Sequence, residues 1–497
     1  MKKNRLLTLI LALAMTLTLV LPMSSLAAGE NAALTINAPA SYGLTAGDFT
    51  AYKLFNATVS GTNYSYTPVA AVSNFLSAYP TYAPDLKAYL AGTPDMDALN
   101  KDLTAFAGTG GFNATAVSAA QNGTNSVQFT GLDYGYYLVV GEATIDGQKV
   151  TSYSNIITVD KAAVTADIKA DAPSIDKYVS DTNLAANSPN WAKETDVNIG
   201  DPVYFKITSA VPNMTGYSSY SFIAHDTLDA GLSLASGFSK SDVTVTIGGT
   251  SYTDFTVGVS GQNLTVTFGD TFIDQTEGAP IVILYAAKLN GNAVIAPNSN
   301  KNTVLLEYSN NPYVTTDTGK TPPAVVDVYT FKLDLYKYDG KTNLPLAGAE
   351  FTLSPSGGSP IALIKIDNYN YRVAMPGETG TTVSLVSPDN GKIKIVGLDA
   401  GTYTLSETKA PNGYNAVANK TIVITHSGAG VYTVKVDSGT AVDGVAAQVD
   451  IENNSGSIFP GTGGIGTTIF YVVSAFLTIG LIAFFVARRR RNLLKVK

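Results

Sequence analysis

Val243-Thr244-Val245-Thr246-Ile247 and Leu264-Thr265-Val266-Thr267-Phe268 alternate apolar and polar residues without interruption. Lys392-Ile393-Lys394-Ile395-Val396 and Val431-Tyr432-Thr433-Val434-Lys435-Val436 repeat the pattern. A period of two sends successive side chains to opposite faces, one toward a core and one toward water. Gly, Asn and Asp punctuate these runs as turns, so the strands are predicted to be antiparallel and half buried. Their regular recurrence predicts an all-β chain of three tandem Ig-like β-sandwiches. Residues 69–107 depart from the pattern. Phe75, Leu76, Tyr79, Leu86, Tyr89, Leu90, Leu99, Leu103 and Phe106 are spaced for short helices, an insertion in the first domain.

Pattern breaks set the expected boundaries. Val164 to Pro173 reads as a strand feeding a linker, and Asn311-Pro312-Tyr313 with Lys320-Thr321-Pro322-Pro323 interrupts the pattern again. The expected organisation is a leader over 1–28, domains over 29–165, 166–322 and 323–456, and a terminal signal over 457–497. Residues 131–139 (GLDYGYYLV) and 397–405 (GLDAGTYTL) share a G-L-D-x-G-x-Y pattern. Either the first and third domains share a topology, or the pattern is a common strand–turn unit.

Composition removes several chemistries. The 497 residues include 45 glycines and 28 tyrosines, but 2 histidines and no cysteine. Disulfides, thiolate nucleophiles and cysteine metal sites are excluded. His225 and His426 are too few for a histidine-rich metal centre, so no metal and no cofactor is expected. His225 adjoins Asp226, but neighbouring strand residues face opposite ways and no nucleophile motif accompanies them.

Both ends carry membrane signals. Lys2, Lys3 and Arg5 precede an apolar run from Leu6 to Leu21 and a small-residue site at Ser25-Leu26-Ala27, the plan of a secretory leader. Near the other end, Ile469 to Val486 is an uncharged stretch of membrane-spanning length, predicted as a transmembrane helix. Arg488 to Arg491, Lys495 and Lys497 follow it, which places that tail in the cytoplasm and the bulk of the chain outside. Removing both ends takes nine of the 32 basic residues and none of the 39 acidic ones, leaving a net charge of −16. Such a surface argues against nucleic acid as a partner.

Phe459-Pro460-Gly461-Thr462-Gly463, the apolar span and the basic tail together resemble the cell-wall sorting signal of Gram-positive surface proteins. Phe459 stands where the usual L-P-x-T-G pentapeptide has leucine. The resemblance implies cleavage between Thr462 and Gly463 by a sortase, whose cysteine holds Thr462 as a thioester until an amine resolves it.

Leu335-Tyr336-Lys337-Tyr338-Asp339, the segment Gly401 to Tyr414 and Val449-Asp450-Ile451-Glu452-Asn453 resemble the CNA-B-type domains of Gram-positive pilins. The middle segment fits that family's E-box, Y-x-L-x-E-x-x-A-P-x-G-Y. The resemblance implies an internal isopeptide bond between Lys337 and Asn453, with Glu407 as catalytic acid. Side-chain physics makes this intelligible. Burial favours a neutral, nucleophilic lysine and a protonated carboxyl that polarises the amide. In the middle domain Lys177, Asp226 and Asn302 take the same implied roles. Asn310 and Asn311 are alternatives to Asn302, which is preferred on the expectation that the first and last strands run parallel. In the first domain, Ala51-Tyr52-Lys53-Leu54-Phe55 resembles a domain opening. There the position matching Glu407 is Gly141, with Glu142 on the wrong face, so no bond is expected.

Shaft pilins of this class use a lysine at the boundary of the first and second domains as amine acceptor. Val164-Thr165-Ala166-Asp167-Ile168-Lys169 falls there, which makes Lys169 the expected acceptor and Lys161 the reserve, although the family's Tyr-Pro pair is absent. The resemblance as a whole implies a major pilin. This is a secreted, wall-anchored, non-enzymatic subunit of a covalent fimbria. Its implied partners are pilus-specific and housekeeping sortases, identical subunits, minor pilins and peptidoglycan. The alternative is a minor pilin or wall-anchored adhesin that binds a host or microbial ligand.

Overall fold

The computed structural model describes residues 31–60, 63–145, 147–183, 185–186, 188–456 and 465–493. The leader and Phe459 to Gly463 lie outside the described residues. The chain divides into two compact units, one formed mainly by residues before 330 and the other mainly by residues after it.

The first unit contains two groups of sheets. In the first group, Ala32–Asn37 lies between a parallel strand, Ala163–Asp167, and an antiparallel one, Ser126–Leu132. A second sheet runs Asn155–Val159, Gly135–Val140, Thr50–Ser60, Asn63–Pro68. Its outer part is roofed by helices Ala70–Ala78, Leu86–Ala91 and Met96–Gly108, close to the insertion expected over 69–107. Asp85 and Asp95 accept from the backbone N–H groups of Lys87 and Ala98 and cap the second and third of these helices. Phe75, Leu86, Leu99, Leu103 and Phe112 pack with Leu54 and Leu138 from the sheet. Each such burial contributes roughly 1.5–3 kcal/mol.

The second group is a sandwich. One sheet runs Asp176–Ser180, Pro202–Ala210, Pro280–Leu289, Thr244–Ile247. The other runs Glu194–Asp196, Ala324–Tyr329, Asn300–Ser309, Phe222–Leu228, Asn263–Phe268, Phe255–Ser260. The pairing of Asn300–Val304 with Ala324–Val328 carries this sheet past residue 322, where the sequence pattern breaks. The break at Pro322-Pro323 is a loop within the sheet.

The second unit holds another sandwich. Phe331–Asp339 lies between Lys392–Leu398, antiparallel, and Gln448–Asn453, parallel. The facing sheet is built on Glu350–Pro355, Gly401–Lys409, Lys420–His426 and Tyr432–Val436. The helix Ile465–Leu493 follows, and its segment Phe470–Arg489 is long and apolar enough to cross a membrane.

The repeated G-L-D-x-G-x-Y pattern makes the same corner twice. Gly131 and Gly397 take positive φ of 71° and 90°, a conformation that glycine adopts without Cβ strain. Tyr137 donates its hydroxyl to Asp133 O at 2.7 Å, and Tyr403 donates to Asp399 O at 2.8 Å. Each is a tyrosine corner that pins the turn as the chain crosses between sheets. In both domains the strand before the corner pairs with the domain's first strand, which pairs in parallel with its last. The repeat therefore carries a shared topology.

This alignment corrects one reading. The first domain opens at Ala32–Asn37, and Ala51–Phe55 belongs to a later, long strand. Both opening strands shift register beside the corner, so Leu335 matches Ile36 and Lys337 matches Ala38. Gly141 matches Glu407, and a β-carbon there would collide with the Phe49 ring. Lys53 instead pairs with Asp133 at 3.4 Å near the surface.

Candidate functional site

In the second unit, alternation along Phe331–Asp339 turns Leu333, Leu335 and Lys337 inward, and Lys337 is 1% exposed. Parallel pairing sets Lys337 beside Ile451, two residues before the fully buried Asn453. Glu407 reaches in from the facing sheet and is only half-buried. Asn453 Nδ2 donates to both Glu407 oxygens, at 3.0 and 3.2 Å, and Val417 N donates to one of them at 2.9 Å. Lys337 Nζ donates to Ile451 O at 3.0 Å. Burial pushes the lysine down to about 8, against the opposing pull of Glu407, Glu452 and Asp339. Asn453 Oδ1 is buried without a partner. A half-turn of the amide exchanges its two ends and presents this oxygen to the carboxyl.

The middle sandwich assembles its polar group from both sheets. Lys177 and Tyr285 come from one sheet, Asp226 and Asn302 from the other. All four are at most 4% exposed. Lys177 Nζ pairs with Asp226 and donates to the Tyr285 hydroxyl at 3.2 Å. Tyr285 donates to the same Asp226 oxygen at 2.6 Å and accepts from Asn302 Nδ2 at 2.6 Å. Burial lowers the lysine to about 8 and raises the Asp226 carboxyl, so both are driven toward their neutral forms against their mutual attraction. Burial also lifts the Tyr285 phenol well above its ordinary value, keeping it a donor.

The first and last strands of the middle domain do not pair in parallel, contrary to the expectation that favoured Asn302. The strand of Lys177 pairs antiparallel with Pro202–Ala210, and Asn302 sits in the opposite sheet. Asn302 joins the group because alternation along Asn300–Ser309 turns it into the core, whereas Asn310 and Asn311 are half-buried beyond the strand's end. Tyr285 escaped sequence reasoning. Its signal was the alternation Ile281, Ile283, Tyr285, Ala287, Leu289, which sets one hydroxyl on an otherwise apolar face. His225 faces away from the group and meets Glu307 at 3.0 Å.

Lys169 lies just past Ala163–Asp167, and Lys161 lies in the turn before that strand. Both are exposed. The Lys169 carbonyl accepts from Tyr153 N at 2.8 Å. Its amine sits 5.7 Å from the Tyr153 ring centroid, and desolvation lowers it from the ordinary lysine value. Among the described residues, no group of His, Asp and Glu is arranged to hold a metal ion.

Comparison with known proteins gives consistent findings. The family described as the SpaA prealbumin-like fold domain matches residues 331–440. The type 2 fimbrial subunit of Actinomyces naeslundii is 30% identical over 339 residues, 59% of this chain and 58% of that protein. The chain thus spans little more than half the length of that relative. The trypsin-resistant surface T6 protein of Streptococcus pyogenes serotype M6 is 24% identical over 411 residues, 71% of this chain and 74% of the relative. The solved three-domain T6 backbone pilin of that serotype covers 86% of this chain and 99% of its own, with 15% identity and a TM-score of 0.56. In sequence and in fold, the chain is similar to Gram-positive fimbrial subunits.

Proposed function

We propose that this chain is the repeating shaft subunit of a sortase-assembled Gram-positive pilus, strengthened by self-made Lys–Asn bonds. The observation that carries the reading is the pair of constellations built on a buried lysine and a buried asparagine, Lys337–Glu407–Asn453 and Lys177–Asp226–Asn302. In each, the lysine Nζ attacks the asparagine Cγ as a free amine while the carboxyl group polarises the amide. The new C–N bond forms, the Cγ–Nδ2 bond breaks, and nitrogen leaves as ammonia with a proton relayed from the lysine through the carboxyl. Folding supplies the proximity, so the reaction runs once and needs no cofactor.

Tyr285 bridges Asp226 and Asn302 and completes the relay in the middle domain. Tyr285→Phe is expected to slow formation of that bond at least about tenfold, since a single acid–base group contributes about 10²–10⁴-fold and Asp226 remains. Mass spectrometry of chain sampled during refolding follows it as delayed loss of one ammonia, and an unchanged rate contradicts the role.

Between subunits, the Lys169 amine attacks the Thr462 thioester on the sortase. The C–N bond forms, the C–S bond breaks, and the thiolate leaves with the electron pair and takes up the amine's proton. Tension then enters at Lys169 and leaves at Thr462. Its covalent route runs through Lys177–Asn302 and Lys337–Asn453, and residues 31–168 hang outside it. That route gives the first domain no need of a cross-link, in keeping with Ala38 and Gly141 at the matching positions. Wall extracts boiled in detergent are expected to give a high-mass ladder. A chain that runs only as monomer contradicts the shaft reading and favours the adhesin.

A further inference from the structure

The joint between the first and middle domains is polar and aromatic, and it surrounds Lys169. Tyr153 is buried there. Its hydroxyl donates to Asp97 at 2.7 Å and accepts from Asn100 Nδ2 at 2.9 Å, both on the helix Met96–Gly108 of the insertion. Tyr313, from the loop after Asn300–Ser309, stacks on the Tyr153 ring with centroids 6.3 Å apart and 13° between planes. The Tyr313 hydroxyl accepts from Ser154 N at 2.6 Å. Gly216 of the middle domain, at φ 83°, touches the same ring so closely that any β-carbon would collide with it. The Lys169 backbone is held as well, its N–H donating to Ser152 Oγ at 3.3 Å.

We propose that Tyr153 is a positioning residue for Lys169, supporting the acceptor amine in a cradle that exists only where the first and middle domains are docked. This rests on the reading of Lys169 as acceptor. An aromatic face attracts the ammonium and desolvates it on one side, while the other side stays open to the thioester. The helical insertion gains a task, since Asp97 and Asn100 fix the tyrosine. A chain with an unfolded middle domain lacks Tyr313 and Gly216, and so presents no oriented amine.

Two readouts test this on the full-length chain purified in detergent. The first is trace acetylation of Lys169 against pH, which needs no sortase. Asp97 is the charged group facing Lys169 from the insertion. Burial lifts the Tyr153 phenol above its ordinary value, and Asp171 on the Lys169 segment is engaged by Tyr42 and Asn213 N. Tyr153→Leu is expected to raise the labelling midpoint toward that of a lysine in a short peptide. Asp97→Asn, which removes charge from the surface without emptying the core, is expected to lower it. Unchanged midpoints in both variants overturn the cradle. The second readout is sortase transfer onto Lys169, expected to fall at least about tenfold in Tyr153→Leu. The middle-domain ammonia loss should remain, showing that the sandwich is folded. Undiminished transfer in a folded Tyr153→Leu chain overturns the positioning role. Undiminished transfer in Lys169→Ala instead removes the acceptor reading and leaves the labelling result to stand alone.

Discussion

Asp226→Ala is expected to cost the middle domain most of its stability. Two losses coincide. The substitution leaves the Lys177 amine, 0% exposed, without its carboxyl partner. Leaving a buried polar group short of its partner in this way costs about 1–3 kcal/mol. It also removes the acid that the bond-forming step requires. A cross-link closing a loop on the order of 100 residues is worth about 5 kcal/mol in chain entropy. The sum rivals the roughly 5–15 kcal/mol that holds a domain folded. The expected result is a chain that retains one more ammonia than wild type and is cut by trypsin between residues 177 and 302 under conditions that spare wild type. Lys177→Met combined with Asp226→Leu separates the two losses. It replaces both buried polar groups together, and should recover much of the folded stability while still lacking the bond. An Asp226→Ala chain with the wild-type mass and melting temperature contradicts the assigned role.

Lys169→Ala is expected to abolish polymerisation, reducing the ladder to below about one hundredth of the wild-type intensity. The reason is geometric. An acyl-enzyme is resolved efficiently only by an amine held at attack distance, and loss of that placement costs orders of magnitude. Lys169 has a fixed backbone and an aromatic support, whereas Lys161 sits in an exposed turn. Lys161→Ala should therefore leave the ladder intact. The opposite pattern transfers the acceptor role to Lys161.

The strands were legible wherever one face met a core and the other met water, as in Thr244–Ile247 and Asn263–Phe268. The helical insertion was legible for the same reason, at a different period. The residues of the two lysine constellations were named through the resemblance of their sequence blocks to pilin domains. Their geometry was less legible. Parallel pairing of first and last strands is right for Phe331–Asp339 with Gln448–Asn453, and it fails for Asp176–Ser180. Which sheet a strand joins depends on tertiary packing that alternation does not encode. Tyr285 was hidden because tyrosine is an ordinary strand residue, and only the facing sheet reveals what its hydroxyl touches. The first domain's opening was misplaced because Ala51–Phe55 resembles the lysine-bearing openings of the other domains, and register against the corner strand decides between them.

The account stands most directly on the intact mass of the mature chain isolated from the cell surface. It predicts a value below the sequence mass by one ammonia for each constellation. The linked peptides should map to Lys177 with Asn302 and to Lys337 with Asn453. A chain at its unmodified sequence mass, with all four residues recovered in unlinked peptides, contradicts it.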